Sequence, residues 1–200
     1  MSVSHSEIDV FLCEDVEPYL AELASLRIEV FREWPYLYEG DLAYEEDYLR
    51  TYANSPDSVV VLARHGGRIV GAATALPLRA EGESMMSAFA ARGCDPEGVF
   101  YFGESVLRRP WRGQGIGRRF MEERLAASRR RGAALSAFCA VRRDADDPRR
   151  PQGFRPLDGF WRSCGFRPVP GLTTVFSWRE IGEAAESAKT MDFWIREMED

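Results

Sequence analysis

An apolar segment, a glycine-rich turn and an amphipathic segment follow one another in the middle of the chain. Val99–Leu107 is apolar and aromatic and is bounded by turn signals, which predicts a central strand. Apolar residues recur on one side of a helix over 116–131, and Gly132 is placed to end it. Between the two, glycines stand at every second position: Gly113, Gly115 and Gly117. The sequence therefore predicts a buried strand that turns directly into the N-terminus of a helix.

This turn is suited to bind a diphosphate. The first N–H groups of a helix have no intrahelical partner and carry partial positive charge, and glycines let a phosphate approach them closely. Arg112 and Arg118 add positive charge, and Gln114 and Ile116 complete the turn. The Lys-Ser/Thr pair of a Walker loop and the GxGxxG spacing of dinucleotide-binding folds are both missing from it. An ordinary strand-to-helix turn is the alternative interpretation.

The other periodic segments predict a mixed α/β sheet within one domain, 1–200. Strands are expected at 8–13, 134–141 and 173–178, a hairpin at 58–63 and 69–76, and helices at 20–34, 41–54 and 157–164, with one short helix within 79–98. The segment 142–156 is expected to be a long charged loop, either a lid or simply solvated. We expect 179–200 to be a C-terminal extension that ends on a mixed segment, 191–198.

Composition excludes several classes of protein. The net charge of −6 disfavours a nucleic-acid partner. No apolar stretch approaches the roughly 20 residues that span a membrane, and the first residues lack the pattern of a secretory signal, so a cytoplasmic location is expected. Four separated cysteines and two histidines make a metal site unexpected.

Two motifs resemble those of the GNAT acetyltransferase superfamily. Arg112-x-x-Gly115-x-Gly117 is similar to that family's acetyl-CoA pyrophosphate signature. The segment 160–166, Phe-Trp-Arg-Ser-Cys-Gly-Phe, resembles a second motif, aromatic-Tyr-x-x-x-Gly-Phe. The specific likeness covers 99–131 and 160–166, and it implies a GNAT-like fold with a mostly antiparallel sheet flanked by helices.

The resemblance also implies a co-substrate, acetyl-CoA, and assigns residues to it. The predicted acetyl-CoA-binding residues are Val106, Arg112, Gly113, Gln114, Gly115, Ile116, Gly117, Arg118 and Trp161. Trp161 stands where the family often has a tyrosine that protonates the leaving thiolate, and an indole N–H cannot do this at neutral pH. The acid is therefore missing, supplied elsewhere or not needed.

Glu104 is the predicted catalytic base, because a carboxylate within an apolar strand is costly to bury and desolvation would raise its pKa. A structural ion pair with an arginine is an equally good interpretation of Glu104. The aromatic segment after the first helix predicts a substrate wall, although core packing is the alternative. Its predicted substrate residues are Trp34, Tyr36, Tyr38 and Glu39.

The sequence therefore predicts an N-acetyltransferase that acts on a primary amine, with a small molecule favoured as the acceptor. Two alternatives stay open: a protein or peptide N-acetyltransferase, and a catalytically silent acyl-CoA-binding regulatory module. A homodimer is also left open, and neither a nucleic acid nor a membrane is expected as a partner.

Overall fold

A computed structural model describes residues 9–13, 15–55 and 57–198. Within these residues, seven strands form one sheet in the order β1-β2-β3-β4-β5-β7-β6, and of the adjacent pairs described only β4 and β5 are parallel. The strands are β1 Asp9–Cys13, β2 Val59–His65, β3 Arg68–Pro77, β4 Val99–Leu107, β5 Leu135–Val141, β6 Arg167–Trp178 and β7 Ser187–Glu197. The predicted α/β class with a mixed, mostly antiparallel sheet is confirmed.

Helices cover both faces of the sheet. Their bounds are α1 Leu20–Phe31, α2 Leu42–Asn54, α3 Glu83–Ala90, α4 Ile116–Arg130 and α5 Asp158–Ser163. The apolar sides of α1, α2 and α3 share one core cluster with residues of the sheet, and α4 contributes Phe120 and Leu125 to a second cluster on the opposite face. Alternate side chains of β4 enter the two clusters, with Tyr101 in the first and Phe102 in the second.

Local signals in the sequence explain where several elements begin. Asp41 caps α2, because its carboxylate accepts a hydrogen bond from the Tyr44 amide at 3.0 Å. The β2–β3 hairpin turns at Gly66 and Gly67, which both have positive φ, as a two-residue turn of this kind requires. The predicted cap of α2 agrees with the structure, and the strands of the predicted hairpin end within two residues of the expected positions.

The middle of β4 departs from regular pairing in two ways. On the β3 side, Ala73 pairs with Ser105 and Ala75 with Phe102, so β4 holds one extra residue and forms a bulge at 103–104. On the β5 side, pairing covers three residue pairs and ends at Tyr101 and Ala137. Both strands continue beyond this point, so β4 and β5 diverge and open a gap in the sheet.

The C-terminal part of the chain differs from the prediction. The segment expected to be mixed is β7, which lies inside the sheet between β5 and β6. Phe193, Trp194 and Ile195 are all buried, because both faces of β7 are covered, and the alternation that usually marks a strand is lost. β6 begins at Arg167, earlier than expected, and α1 ends at Phe31 instead of continuing to 34. Of the predicted first strand, residue 8 lies outside the described residues.

Candidate active site

The gap between β4 and β5 exposes the backbone of a central strand. Ser105 is exposed, although its neighbours Glu104 and Val106 are buried. The Arg108 amide donates to the Val70 carbonyl on β3 at 3.0 Å. Because amide directions alternate along a strand, the Val106 amide also points to β3, whereas those of Ser105 and Leu107 point into the gap. The gap therefore offers two backbone donors that flank the predicted position, Val106.

The glycine-rich turn lies at the end of β4 and is braced by its own polar side chains. Arg112 donates to the Leu107 carbonyl at 2.8 Å and pairs with Glu33 at 2.8 Å. The Gln114 side chain donates to the Pro110 carbonyl at 2.8 Å. These contacts fix the course of the turn, so the two side chains support it from within.

The backbone of the turn faces open space. Gly113 and Gly115 have φ of 76° and 83°, and a Cβ added at either would meet no atom within 4 Å. Ile116 is buried and anchors the first turn of α4. An anion can therefore reach the free N–H groups at the start of α4, as a diphosphate site requires.

The structure brings the two sequence motifs together. Arg118 on α4 donates to the Ser163 hydroxyl on α5 at 3.1 Å. A Cβ added at Gly117 would lie 3.7 Å from the Phe160 ring, so the glycine allows α5 close to the turn. Trp161 is half-buried against Phe138, with ring centroids 5.0 Å apart. The predicted site residues from both motifs thus line one side of the sheet.

Glu104 points to the other side of the sheet, into a cluster of buried charges. Its carboxylate pairs with Arg27 on α1 at 2.8 Å and accepts a hydrogen bond from the Tyr48 hydroxyl at 3.3 Å. Arg27 also bonds Glu45 on α2. Burial alone would lower the pKa of Arg27, but Glu104, Tyr48 and Glu45 raise it well above its usual range. The ion pair that the sequence left open for Glu104 is therefore present.

A second buried arginine holds the bulge from the opposite face. Arg124 on α4 donates to the carbonyls of Glu104 and Thr74, at 3.1 and 3.3 Å, and to the Ser105 hydroxyl at 2.7 Å. Burial lowers the pKa of Arg124 to about 9, which still leaves it charged at neutral pH. Arg124 therefore ties β3 and β4 together at the bulge beside the gap.

Two tyrosines of α2 connect Glu104 to another carboxylate. The hydroxyls of Tyr48 and Tyr52 lie 3.0 Å apart, and Tyr52 donates to Glu81 at 3.2 Å. Glu81 follows β3 and is half-buried. Burial, followed by the charge of Glu104, raises the pKa of Glu81 to about 7. Burial also raises the pKa of both tyrosines well above the usual range.

Two of the predicted substrate residues, Trp34 and Tyr36, contact the 142–156 loop. Trp34 packs edge-on against Phe154 with centroids 6.1 Å apart, and Arg143 lies over the Trp34 ring. Arg143 also donates to the Tyr36 carbonyl at 3.2 Å, as does the Trp178 indole at 3.0 Å. Burial raises the pKa of Tyr36, so its hydroxyl stays neutral. The loop and the aromatic segment thus form one packed unit.

The other two predicted substrate residues are engaged elsewhere. Tyr38 forms an isolated bridge with Glu180, and its hydroxyl bonds Glu45. Burial and then this bond raise the pKa of Tyr38. Glu39 pairs with Arg179 at 3.6 Å. Tyr38 and Glu39 therefore join the aromatic segment to the β6–β7 connection.

Several residues of this site were missed by the sequence interpretation, although some carried a signal. Arg27 is a charged residue on the apolar stripe of α1, which indicates a buried partner. Tyr48 and Tyr52 are four residues apart and therefore share one face of α2. Glu81 and Arg124 gave no such signal, since their roles depend on which elements meet at the bulge.

Two negative findings concern the described part of the chain. None of its helices has the length and apolar character needed to cross a bilayer. Within the same residues, no group of three or more histidine, cysteine, aspartate or glutamate side chains is placed to hold a metal ion.

Solved structures of similar fold include several acetyltransferases. An acetyltransferase of the GNAT family from Staphylococcus aureus has a TM-score of 0.61 and 14% identity, with 96% of this chain and 100% of that chain covered. The Brucella melitensis ribosomal-protein-alanine N-acetyltransferase has a TM-score of 0.62 and 17% identity, with coverage of 94% and 99%. The yncA protein of Salmonella typhimurium, solved with its cofactor acetyl-CoA, has a TM-score of 0.60 and 10% identity, with coverage of 96% and 95%. At these identities the likeness shows the fold alone.

Sequence comparisons give one positive result. A search of curated proteins found no match. The model of the acetyltransferase (GNAT) family, however, matches residues 23–154, which is more than half of the chain and includes the turn at Arg112. The chain therefore belongs to the GNAT family of acetyltransferases.

Proposed function

We propose that this protein transfers an acetyl group from acetyl-CoA to the primary amine of a small molecule. The observation that carries the proposal is the position of the open glycine turn directly beside the gap between β4 and β5. An elongated ligand can bind its diphosphate at the start of α4 and extend along the exposed edge of β4.

Acetyl-CoA would supply the reactive thioester, and the chain supplies binding and orientation. The turn 113–117 and the start of α4 bind the diphosphate, with Arg118 beside it. The amides of Ser105 and Leu107 are available to a ligand in the gap, and such donors stabilise negative charge on a carbonyl oxygen. Trp161, packed on Phe138, forms an apolar wall beside this path.

The opposite face of β4 supports an amine as the acceptor. Glu104 lies there in a hydrogen-bonded cluster with Tyr48, and Glu81 adds a second carboxylate. Carboxylates favour a cationic ligand and can accept its proton. The segment of Trp34 packs on the 142–156 loop at Phe154, and a loop that covers the site would favour a small acceptor over a folded protein.

Binding of CoA is the first test. Titration calorimetry should show CoA binding to the wild type, and Gly115→Glu should abolish it, because the new carboxylate would stand where the diphosphate binds. Gly67→Glu is the matched control, since Gly67 also has positive φ and open space but lies in the β2–β3 turn. Absence of CoA binding to the intact protein would overturn the proposal.

Identification of the acceptor is the second test. Release of free CoA from acetyl-CoA should be measured with a panel of polyamines, aminoglycosides, amino acids and peptides. Turnover with small amines is the expected result. Turnover with peptides alone would instead indicate a protein acetyltransferase, and tight CoA binding without any turnover would indicate a silent binding module.

A further inference from the structure

Four side chains form a continuous hydrogen-bonded chain from the bulge of β4 to the segment that follows β3. Glu104 is linked to Tyr48 at 3.3 Å, Tyr48 to Tyr52 at 3.0 Å, and Tyr52 to Glu81 at 3.2 Å. Both ends are carboxylates, and both intermediate groups are hydroxyls that can donate and accept. Such a chain can pass a proton from one end to the other.

The number of protons in this chain is set by its chemistry. Three links require three protons, the two phenols supply two, and an ionised carboxylate only accepts. With both carboxylates ionised, one link therefore has no proton. The chain can then take up one further proton, and this third proton completes its three links.

The charges around the two carboxylates differ. Arg27 contacts the Glu104 carboxylate at 2.8 Å, which places a positive charge at that end of the hydrogen-bonded chain. Glu81 has no arginine at this distance among the described ion pairs, and Arg79 of its own segment pairs with Asp57 and Glu97. The titratable and charged groups that act on Glu81 or respond to it are Arg27 of α1, Tyr48 and Tyr52 of α2, Tyr101 and Glu104 of β4 and Cys139 of β5.

Gly103, within the bulge of β4, leaves room for the Tyr52 hydroxyl in the middle of the hydrogen-bonded chain. A Cβ at residue 103 would overlap the Tyr52 hydroxyl and would lie 2.7 Å from the Thr74 hydroxyl. Gly103 therefore allows the Tyr52 hydroxyl to lie against the backbone of β4, between Tyr48 and Glu81. A side chain at residue 103 would displace the Tyr52 hydroxyl and interrupt the hydrogen bonds between Tyr48 and Glu81.

We propose that Glu81 is the terminal proton acceptor of the active site and that Glu104, Tyr48 and Tyr52 conduct the proton of the substrate ammonium to it. The inference rests on the proposed acetyl transfer to an amine. The ammonium N–H bond breaks as its proton passes to Glu104, and the proton of Glu104 passes to Tyr48. In the same concerted step, Tyr48 gives its own proton to Tyr52 and Tyr52 gives its own to Glu81, so each hydroxyl keeps one proton. The net change is one N–H bond lost and one O–H bond formed at Glu81, and no electrons are transferred.

Glu81→Gln is the central variant. The glutamine amide can donate to Tyr52, as a protonated Glu81 would, so the fold is expected to persist. Glutamine cannot accept a proton, so proton transfer should stop. Glu83→Gln is the matched control, because Glu83 is an exposed carboxylate two residues away on α3.

The first measurement needs no substrate. Carbon-13 NMR of labelled glutamate carboxyl groups should show one group that titrates near pH 7, and Glu81→Gln should remove this signal while Glu83→Gln keeps it. Glu104→Gln should lower the midpoint, because a neighbouring negative charge is lost. The inference is overturned if no glutamate titrates near neutral pH, or if the titrating signal survives in Glu81→Gln.

The second measurement uses the acceptor found in the panel. Wild-type kcat/KM should fall as the pH decreases through about 7, because Glu81 is then already protonated. Glu81→Gln and Tyr52→Phe should lower kcat by about a hundredfold, remove this acidic limb and leave CoA affinity unchanged. An unchanged pH profile in an active Glu81→Gln enzyme would refute the role of Glu81 while acetyl transfer stands. Loss of CoA binding by the wild type would refute the proposed function instead.

Discussion

Arg27 keeps its charge inside the protein because carboxylates lie on two sides of it, Glu104 on β4 and Glu45 on α2. The Arg27 side chain is 10% exposed, and an unpaired guanidinium there would be costly. This pairing joins α1, α2 and the β4 bulge at one point. It also keeps the carboxylate of Glu104 fixed beside Tyr48, so one arginine serves both stability and the geometry of the site.

Glu104→Gln should therefore destabilise the fold. Arg27 would lose one of its two charged partners while it stays buried, and removal of one member of a buried pair costs about 3 kcal/mol. Urea unfolding at neutral pH measures the loss. Glu197→Gln breaks the exposed pair with Arg167 and should cost less than about 1 kcal/mol. Equal effects of the two variants would contradict a stabilising role of the buried pair.

At the scale of single residues, the sequence indicated which side chains are unusual in their position more readily than it indicated the residues with which they pair. A glutamate within the apolar segment 99–107 indicates either a pair or a catalytic group, and the sequence alone left both open. The pairing of Glu104 with Arg27 depends on the packing of α1 against β4, which no local pattern specifies. The same holds for Glu81, whose raised pKa is produced by burial and by Glu104 after the chain has folded.

At the scale of elements, the β6–β7 connection holds the 142–156 loop in place. Glu180 is buried and pairs with Arg143 and Arg149, each at 2.5 Å, and with Lys189 at 3.5 Å. Burial alone would raise the pKa of Glu180, but Arg143 and Arg149 lower it below its ordinary value. One carboxylate therefore anchors a loop that also packs on the aromatic segment at Trp34.

Glu180→Gln should release this loop. Removing charged hydrogen bonds worth about 1.5 kcal/mol should make opening of the loop roughly tenfold more frequent, so cleavage by trypsin after Arg149 should rise roughly tenfold. Glu186→Gln, an exposed change on the same connection, is the control and should leave the cleavage rate unchanged.

The pH dependence of the same contact has a defined sign. The pKa of Glu180 in the folded protein lies below its value of 4.5 in the unfolded chain. The stabilisation that its ion pairs give to the loop is therefore present above pH 4.5 and is lost as the pH falls through the folded-state pKa. Loop amides in NMR spectra of the wild type should thus become mobile in acid, while those of Glu180→Gln are mobile already at neutral pH. A loop that stays rigid in the variant would show that Glu180 does not anchor it.

Elements with clear local signals were predicted well, and those without were not. Val99–Leu107 has turn signals at both ends, and its predicted bounds equal those of β4. The gap beside it could not be predicted, because it depends on where pairing with β5 ends. β7 was missed, since its residues are buried on both faces and show no clean alternation.

At the scale of the whole molecule, the last strand completes the sheet. β7 pairs with β5 on one side and with β6 on the other, so β6 is joined to the sheet through it. Phe193 of β7 is fully buried and packs edge-on against Phe89 of α3, with centroids 5.0 Å apart. The C-terminal segment thus contacts both the strand that lines the gap and a helix inserted between β3 and β4. We propose on this basis that the chain is one cooperative domain.

Phe193→Ala tests this proposal. Loss of a fully buried ring costs about 3–5 kcal/mol, a large part of the 5–15 kcal/mol that stabilises typical domains. In one cooperative unit, tryptophan fluorescence and far-UV circular dichroism should report the same, much lower midpoint of urea unfolding. Val175→Ala on β6 is the control, because Val175 is 57% exposed and its loss should change stability by less than about 0.5 kcal/mol. If 179–200 were only an extension, Phe193→Ala would instead unfold in two separate steps, with CoA binding intact after the first.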